Sequence, residues 1–235
     1  MKFFTSAFNG DKYEAWNEYF VYGGLPFVAT LKTDEQKIRY LQNLFEETYI
    51  KDIIERHHIK KTQELENLIN VLASATDSLT NATRIQNTFQ SSIKSKISVD
   101  TVIDYIGCLK ESFIINEAER YDVKGRKYIG SQQKYYFEDV GLRNARLNFR
   151  QTEENHIMEN IIYNELRYRG FSVDVGVVEK RIKDEKGKEI RTRLEIDFVT
   201  NKGSERCYVQ SAFAVPDKEK ELQEKKSLQN AGDSF

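Results

Sequence analysis

The sequence predicts an α+β fold with N-terminal helices, a winged helix, and a closing segment in which helices flank strands. Three observations support this prediction. Apolar residues recur at three- to four-residue spacing through roughly the first 110 positions. A strand–turn–strand pattern with a basic tip follows these helices, and after residue 150 the order becomes helix, three strands, helix. We therefore expect three parts: a helical segment over 1–60, a winged-helix domain over 61–150, and a third domain over 151–235.

Composition limits the possible partners. The net charge is -1 and the pI is near 6.4, so no global field attracts the chain to nucleic acid or to an anionic membrane, and any nucleic-acid contact must come from a local patch. Cys108 and Cys207 lie in unrelated apolar contexts, which argues against a disulfide framework or a zinc site. The N-terminus does not resemble a signal peptide, and no apolar run approaches the ~20 residues of a membrane helix. These features predict a cytoplasmic protein without a membrane partner.

The first part begins with the aromatic-rich helix DKYEAWNEYFVY, which breaks at 23–26 (GGLP). No lysine followed by serine or threonine comes after these glycines, so a turn is predicted there rather than a phosphate-binding loop. Thr33 and Gln36 form a capping box for the next helix. That helix carries an apolar stripe and ends near Arg56. The stripe consists of Ile38, Leu41, Phe45, Tyr49 and Ile53.

The second part reads as three helices followed by a hairpin. One helix spans ELENLINVLASA, a shorter one starts at Asn81, and Ser98 caps a third. The third helix places apolar residues at Val102, Ile103, Ile106 and Leu109. The strand FIINEAERY then runs into a basic turn, and QKYYFED is its predicted partner. This order is typical of a winged helix.

The charges do not favour insertion of the third helix into the DNA major groove. It exposes Asp100, Asp104 and Glu111 against the single Lys110, so phosphates would repel it. The wing is basic and could contact a nucleic-acid backbone without reading its sequence. Its cations are Lys124, Arg126, Lys127 and Lys134. Protein docking or a purely structural role is the alternative for this wing.

The third part starts with the periodic helix ENHIMENIIYNELRYRG, for which Gly170 is the predicted C-cap. The strands FSVDVGVV, LEIDFVT and RCYVQSAFAV follow, and DKEKELQEKKSLQNA is a final helix. Strand alternation puts Glu195 and Asp197 on one face and directs Leu194, Ile196 and Phe198 to the other, which faces the core.

The same alternation indicates a metal site. If Asp197 lies near Gln210 on the next strand, a carboxylate and an amide oxygen converge beside the preceding helix, where Glu159 is a third oxygen donor. Hard oxygen ligands suit Mg²⁺, and such an ion could bind a phosphodiester. A solvated face of an ordinary hairpin is the alternative interpretation.

Several motifs in order resemble the C-terminal region of bacterial and archaeal AAA-type P-loop ATPases, in which the C-terminal domain has no assigned function. The resemblance covers nearly the whole chain. The motifs are YGGLP at 22–26, YIKDI at 49–53, YFEDVGLRNA at 136–145, EN at 159–160 with NEL at 164–166, EIDF at 195–198 and YVQ at 208–210.

The resemblance implies that an ATPase module, the only part that would bind ATP, lies upstream, so this chain is not expected to hydrolyse ATP. It also implies that 151–235 has a restriction-endonuclease-like fold of the PD-(D/E)XK type, cut short at its C-terminus. The catalytic residues carried over are Glu159, Asp197 and Gln210, with Glu159 and Asp197 as ligands of Mg²⁺ or Mn²⁺. Ala212 stands at the position of the family lysine, whose loss removes transition-state stabilisation.

A lysine from elsewhere could replace it, and the candidates are Lys180, Lys225 and Lys226. We therefore expect a nucleic-acid-associated or partner-sensing accessory module with a degenerate nuclease-like site. The alternatives are an active Mg²⁺- or Mn²⁺-dependent nuclease and a protein-docking or oligomerisation scaffold.

Overall fold

A computed structural model describes residues 11–130, 132–150, 153–183, 189–212 and 218–231. It has the mixed α+β composition that the sequence predicts. Among these residues, no helix is long and apolar enough to cross a membrane.

The N-terminal helices follow the predicted pattern. Helix α1 (Lys12–Tyr22) is capped by Asp11 and ends at Gly23, and α2 (Asp34–Asn43) starts at the predicted Thr33–Gln36 capping box. The backbone then passes through a π-helical segment, Leu44–Ile50, directly into α3 (Lys51–Arg56). The sequence pattern did not predict this π-helical segment, because the apolar stripe continues through it unbroken.

Three more helices and a small sheet complete the first core. They are α4 (Thr62–Ser74), α5 (Ala82–Thr88), which continues as a π turn over Phe89–Ile93, and α6 (Val99–Glu111). Strand β1 (Ile115–Ala118) pairs antiparallel with β4 (Lys134–Phe137), as predicted, and both contribute to the helical core. Within α6 the predicted apolar stripe is wrong at Ile103, which is 55% exposed, because Tyr105 turns inward instead.

The basic turn does not belong to the small sheet. Strands β2 (Arg120–Asp122) and β3 (Lys127–Tyr128) form a hairpin, and β2 pairs in parallel with β5 (Ser172–Lys183). Antiparallel pairing continues through β6 (Glu189–Lys202) to β7 (Glu205–Val209), giving the order β3-β2-β5-β6-β7. One sheet therefore joins residues on both sides of the boundary expected at 150.

Helices cover both faces of this larger sheet. Helix α8 (Glu154–Tyr168) packs Tyr163 against Val175 and Phe198 on one face. Helix α9 (Lys218–Gln229) and the residue Ala231 approach the other face, where Ile196 and Val199 lie. The short α7 (Val140–Arg146) connects β4 to α8.

Two of the motifs that carry the family resemblance interlock at α7. The backbone N–H of Gly24 donates to the N-cap carboxylate of Asp139 at 2.7 Å. A Cβ atom on Gly23, where φ is 76°, would lie 2.1 Å from Asp139 Oδ1, and one on Gly141 would lie 2.0 Å from the carbonyl oxygen of Tyr22. The chain therefore needs glycine at these close approaches, and the contact fixes α1 against α7.

Candidate functional site

Helix α8 holds strand β4 through its asparagines. Asn160 accepts a hydrogen bond from the Phe137 N–H at 3.0 Å and donates to the Phe137 carbonyl at 2.7 Å. Asn164 donates to the carbonyls of Phe137 and Glu138. These bonds satisfy the buried edge of β4 and fix Glu159, the neighbour of Asn160, against the strand.

Lys134 lies at the centre of a buried acidic cluster. Its ammonium Nζ is 2.9 Å from Glu159 Oε1 and 2.7 Å from Glu195 Oε1, and its side chain is only 4% exposed. The hydroxyl of Tyr136 donates to Glu159 Oε1 at 2.6 Å. Lys134 and Tyr136 are two residues apart on β4, so strand alternation directs both side chains to Glu159.

A β-bulge in β6 places the acidic residues of that strand. The pairs Asp174–Val199 and Gly176–Ile196 leave one extra β6 residue between them. After the bulge Phe198 turns to the α8 face and packs against Tyr136 and Tyr163. The prediction that Phe198 faces away from Glu195 is therefore wrong, because strict alternation fails where a strand gains a residue.

Asp197 and Gln210 are neighbours, and the described contact between them is made by the backbone N–H of Asp197. Asp197 is buried, its Oδ2 accepts from the Ser211 N–H at 2.6 Å, and its backbone N–H donates to Gln210 Oε1 at 3.4 Å. The charge of Asp197 acts on Glu159. Asp197 therefore neighbours Gln210 and lies close enough to Glu159 for its charge to act on that carboxyl group.

Burial raises the pKa of Glu159 to about 7, and the charges of Asp197 and Asp77 act in the same direction against the Lys134 ammonium. Burial lowers the pKa of Lys134, but Glu159 and Glu195 outweigh it and raise that pKa above its ordinary value. The two shifts have different main causes, which are burial for Glu159 and the two neighbouring glutamates for Lys134. Lys134 therefore stays charged, and Glu159 titrates near neutrality.

This shift predicts a pH-dependent stability. The pKa of Glu159 rises from 4.5 to about 7 on folding, so its contribution is fully present below pH 4.5 and is lost as the pH rises through 7. Relative to a Glu159→Gln variant, the wild-type free energy of unfolding should fall by up to about 3 kcal/mol over that window. Urea unfolding at a series of pH values measures the difference. Parallel profiles for wild type and Glu159→Gln would disprove the shift.

Three carboxylate oxygens of the cluster already have protein partners, which disfavours a divalent cation at those atoms. Glu159 Oε1 is engaged by Lys134 and Tyr136, Glu195 Oε1 by Lys134, and Asp197 Oδ2 by the Ser211 N–H. Within the part of the chain that the structure describes, no group of three or more His, Cys, Asp or Glu side chains is placed to hold a metal ion. The ammonium of Lys134 takes the place next to the carboxylates that a cation would need.

The predicted nucleic-acid residues separate into two groups. Lys124, Arg126 and Lys127 are exposed at the β2–β3 hairpin. Lys134 is not on that surface, so its assignment to the basic wing is wrong: it opens β4, whose two faces are both buried, and its charge is neutralised inside.

Of the positions considered for the family lysine, the structure describes the side chains of Ala212 and Lys225. Ala212 is half-buried beyond β7. Lys225 forms an ion pair with Glu221 on its own helix, and the side chains of Lys180 and Lys226 lie outside the described residues. Lys134 was missed because it is 25 residues before Glu159 in the chain. The sequence feature that could have indicated its inward position is its alternation with Tyr136 in a short strand, all four residues of which are buried.

A further pair near the cluster was not predicted from sequence. The imidazole Nδ1 of His156 lies 2.6 Å from Asp77 Oδ2, which joins α8 to the loop after α4. Asp77 also helps to raise the pKa of Glu159. The acidic region therefore extends from the sheet to the helical core.

Comparison with known proteins gives a family without an assigned activity. Residues 13–153 match the family model described as "Domain of unknown function (DUF8612)". An uncharacterised protein of Haemophilus influenzae is 32% identical over 202 residues, which is 86% of this chain and 47% of the relative. An uncharacterised protein of Methanocaldococcus jannaschii is 26% identical over 155 residues, 66% of this chain and 34% of the relative. The chain thus spans less than half the length of these relatives, and no solved structure matches it.

Proposed function

Since the chain belongs to the family of the domain of unknown function DUF8612, which names no activity, we propose a function from the geometry of its acidic cluster. The chain is a nucleic-acid-associated accessory module with a degenerate nuclease-like site, and it works within a larger AAA-type ATPase. The main support for a degenerate site is that the buried ammonium of Lys134 lies within 2.9 Å of both Glu159 and Glu195. It supplies the positive charge that an active site of this type takes from a metal ion.

The arrangement around the cluster supports the nuclease-like part of the proposal. An aspartate beside a β-bulge acts by its charge on a helical glutamate, and its backbone N–H donates to a glutamine just beyond β7. The sheet that carries the aspartate has a helix on each side. The resemblance to AAA-type ATPases supports the accessory role, and the curated relatives are long enough to include another module.

The exposed wing cations support the nucleic-acid role. Lys124, Arg126 and Lys127 protrude on a hairpin at the edge of the larger sheet. Cations on such a hairpin can neutralise backbone phosphates, and the release of counterions makes the resulting affinity fall with salt.

The test is binding to duplex and single-stranded DNA at low and high salt. Replacing the three wing cations by glutamine should lower the slope of log affinity against log salt by up to about 3. A control variant with the same charge change at exposed Lys12, Lys32 and Lys60 should keep the wild-type slope. Absence of salt-sensitive binding by the wild type would refute the nucleic-acid role.

A protein-docking role is the second candidate, and an apolar groove favours it. The groove, of about 480 Å³, lies between α1, α8 and the β7 edge of the sheet. Trp16, Leu166, Phe171 and Val209 contribute to its lining. Self-association through this groove predicts an apparent mass that rises with concentration and stays monomeric in a Leu166→Lys variant. A concentration-independent monomer would exclude self-association.

A further inference from the structure

Arg120 is a buried cation without a matching anion. It is only 4% exposed, its Nε has no hydrogen-bond partner, and its NH1 donates to the neutral Gln132 Oε1 at a long 3.4 Å. Among the described residues, no carboxylate is within ion-pair distance of it. Buried charges in proteins are normally paired, because an uncompensated charge away from water is costly.

A second arginine lies on the same face of the sheet. Arg120 pairs with Val175, Glu195 with Val177, and Arg193 with Glu179, so alternation along β5 directs all these side chains to the α8 side. Arg193 is 62% exposed and forms an ion pair with Glu179. Burial and the neighbouring Arg193 both lower the pKa of Arg120. Glu179 and Glu195 act on Arg120 in the opposite direction, but neither carboxylate forms a described ion pair with it.

We infer that Arg120 and Arg193 form a phosphate-binding subsite that takes a backbone phosphate of the nucleic acid beside the Lys134 cluster. This inference rests on the proposed nucleic-acid role. A guanidinium can hold a phosphate with two parallel hydrogen bonds, which Gln132 cannot reproduce. Because the 3.4 Å bond to Gln132 is long, its displacement costs little and exposes the donors of Arg120.

A cation of the wing lies on the same face of the sheet as the two arginines and extends the basic surface. Lys127 pairs with Asp122, which pairs with Val177, so Lys127 lies on the same face as Arg120 and Arg193. Cations on β3, β2 and β6 therefore follow one another across the sheet. Such a series suits successive phosphates of one strand better than a single small anion.

The experiment measures single-stranded DNA affinity against salt for the full chain and for Arg120→Gln, Arg193→Gln and Glu179→Gln. Loss of either arginine should weaken binding about tenfold or more and lower the salt slope by about 1. Glu179→Gln should strengthen binding, because it removes a competing carboxylate. Arg193 and Glu179 are on the surface, so these two variants test the subsite even if Arg120→Gln unfolds.

The outcomes separate this inference from the proposed function. If both arginine variants bind DNA like wild type while the wing variant loses binding, the subsite is overturned and the nucleic-acid role stands. If wild type binds no DNA, the proposed nucleic-acid role fails. The subsite is then tested by measuring the unfolding temperature with and without inorganic phosphate. The subsite is supported if phosphate raises the unfolding temperature of wild type but not of Arg120→Gln or Arg193→Gln. It is overturned if phosphate does not raise the unfolding temperature of wild type.

Discussion

Replacing Lys134 by methionine is expected to lower the free energy of unfolding by about 3–5 kcal/mol at pH values well above 7, where Glu159 is ionised. The substitution keeps most of the side-chain volume but leaves Glu159 and Glu195 without the ammonium that lies 2.9 and 2.7 Å from them. Glu159 also keeps its repulsion from Asp197. The cost comes from uncompensated buried charge, and denaturant unfolding at constant pH measures it.

Two controls identify the cause. Lys110→Met removes an ammonium 2.6 Å from Glu117, but this lysine side chain is 37% exposed, so the loss should stay within about 1 kcal/mol. Adding Glu159→Gln to Lys134→Met should recover part of the lost stability, since it removes one uncompensated charge. A Lys134→Met variant that loses no more stability than Lys110→Met would show that the ammonium is not essential to the cluster.

Gly141→Ala is expected to destabilise the fold by about 4 kcal/mol or more. Its Cβ would lie 2.0 Å from the carbonyl oxygen and 2.4 Å from the carbonyl carbon of Tyr22. Both are backbone atoms, so α1 and α7 would have to separate, and the bond from Gly24 to Asp139 would be strained. The expected result is a large fall in the denaturant midpoint.

Gly107 provides the matched control. It also lies within a helix, α6, but a Cβ there would meet nothing within 4 Å. Gly107→Ala should therefore stabilise the protein by about 1 kcal/mol through helix propensity alone. If both alanine variants shift the midpoint in the same direction, the close contact between α1 and α7 does not govern the effect at Gly141.

The local features of the fold could be predicted from the sequence. The Thr33–Gln36 capping box, the break after Tyr22 and the β1–β4 pairing depend on residues close in sequence or on simple periodicity. The approach of Asp197 and Gln210 also followed from strand alternation and a short turn. Such features require little knowledge of tertiary structure.

The features that the sequence did not predict depend on packing between residues far apart in the chain. The parallel pairing of β2 with β5 joins segments about 55 residues apart, and no local pattern specifies it. The bulge in β6 breaks alternation at a point that the sequence does not mark. Lys134 reads as a surface cation until the burial of both faces of β4 is known, so the buried ammonium could not be assigned from charge pattern alone.

Mn²⁺ titration of the wild-type protein, followed by thermal unfolding and by a DNA cleavage assay, tests the central claim most directly. With Lys134 between the carboxylates, we expect no Mn²⁺-dependent rise in the unfolding temperature and no cleavage above that of an Asp197→Asn variant. A Mn²⁺-dependent stabilisation or cleavage that Asp197→Asn abolishes would contradict the degenerate site and establish a metal-dependent nuclease instead.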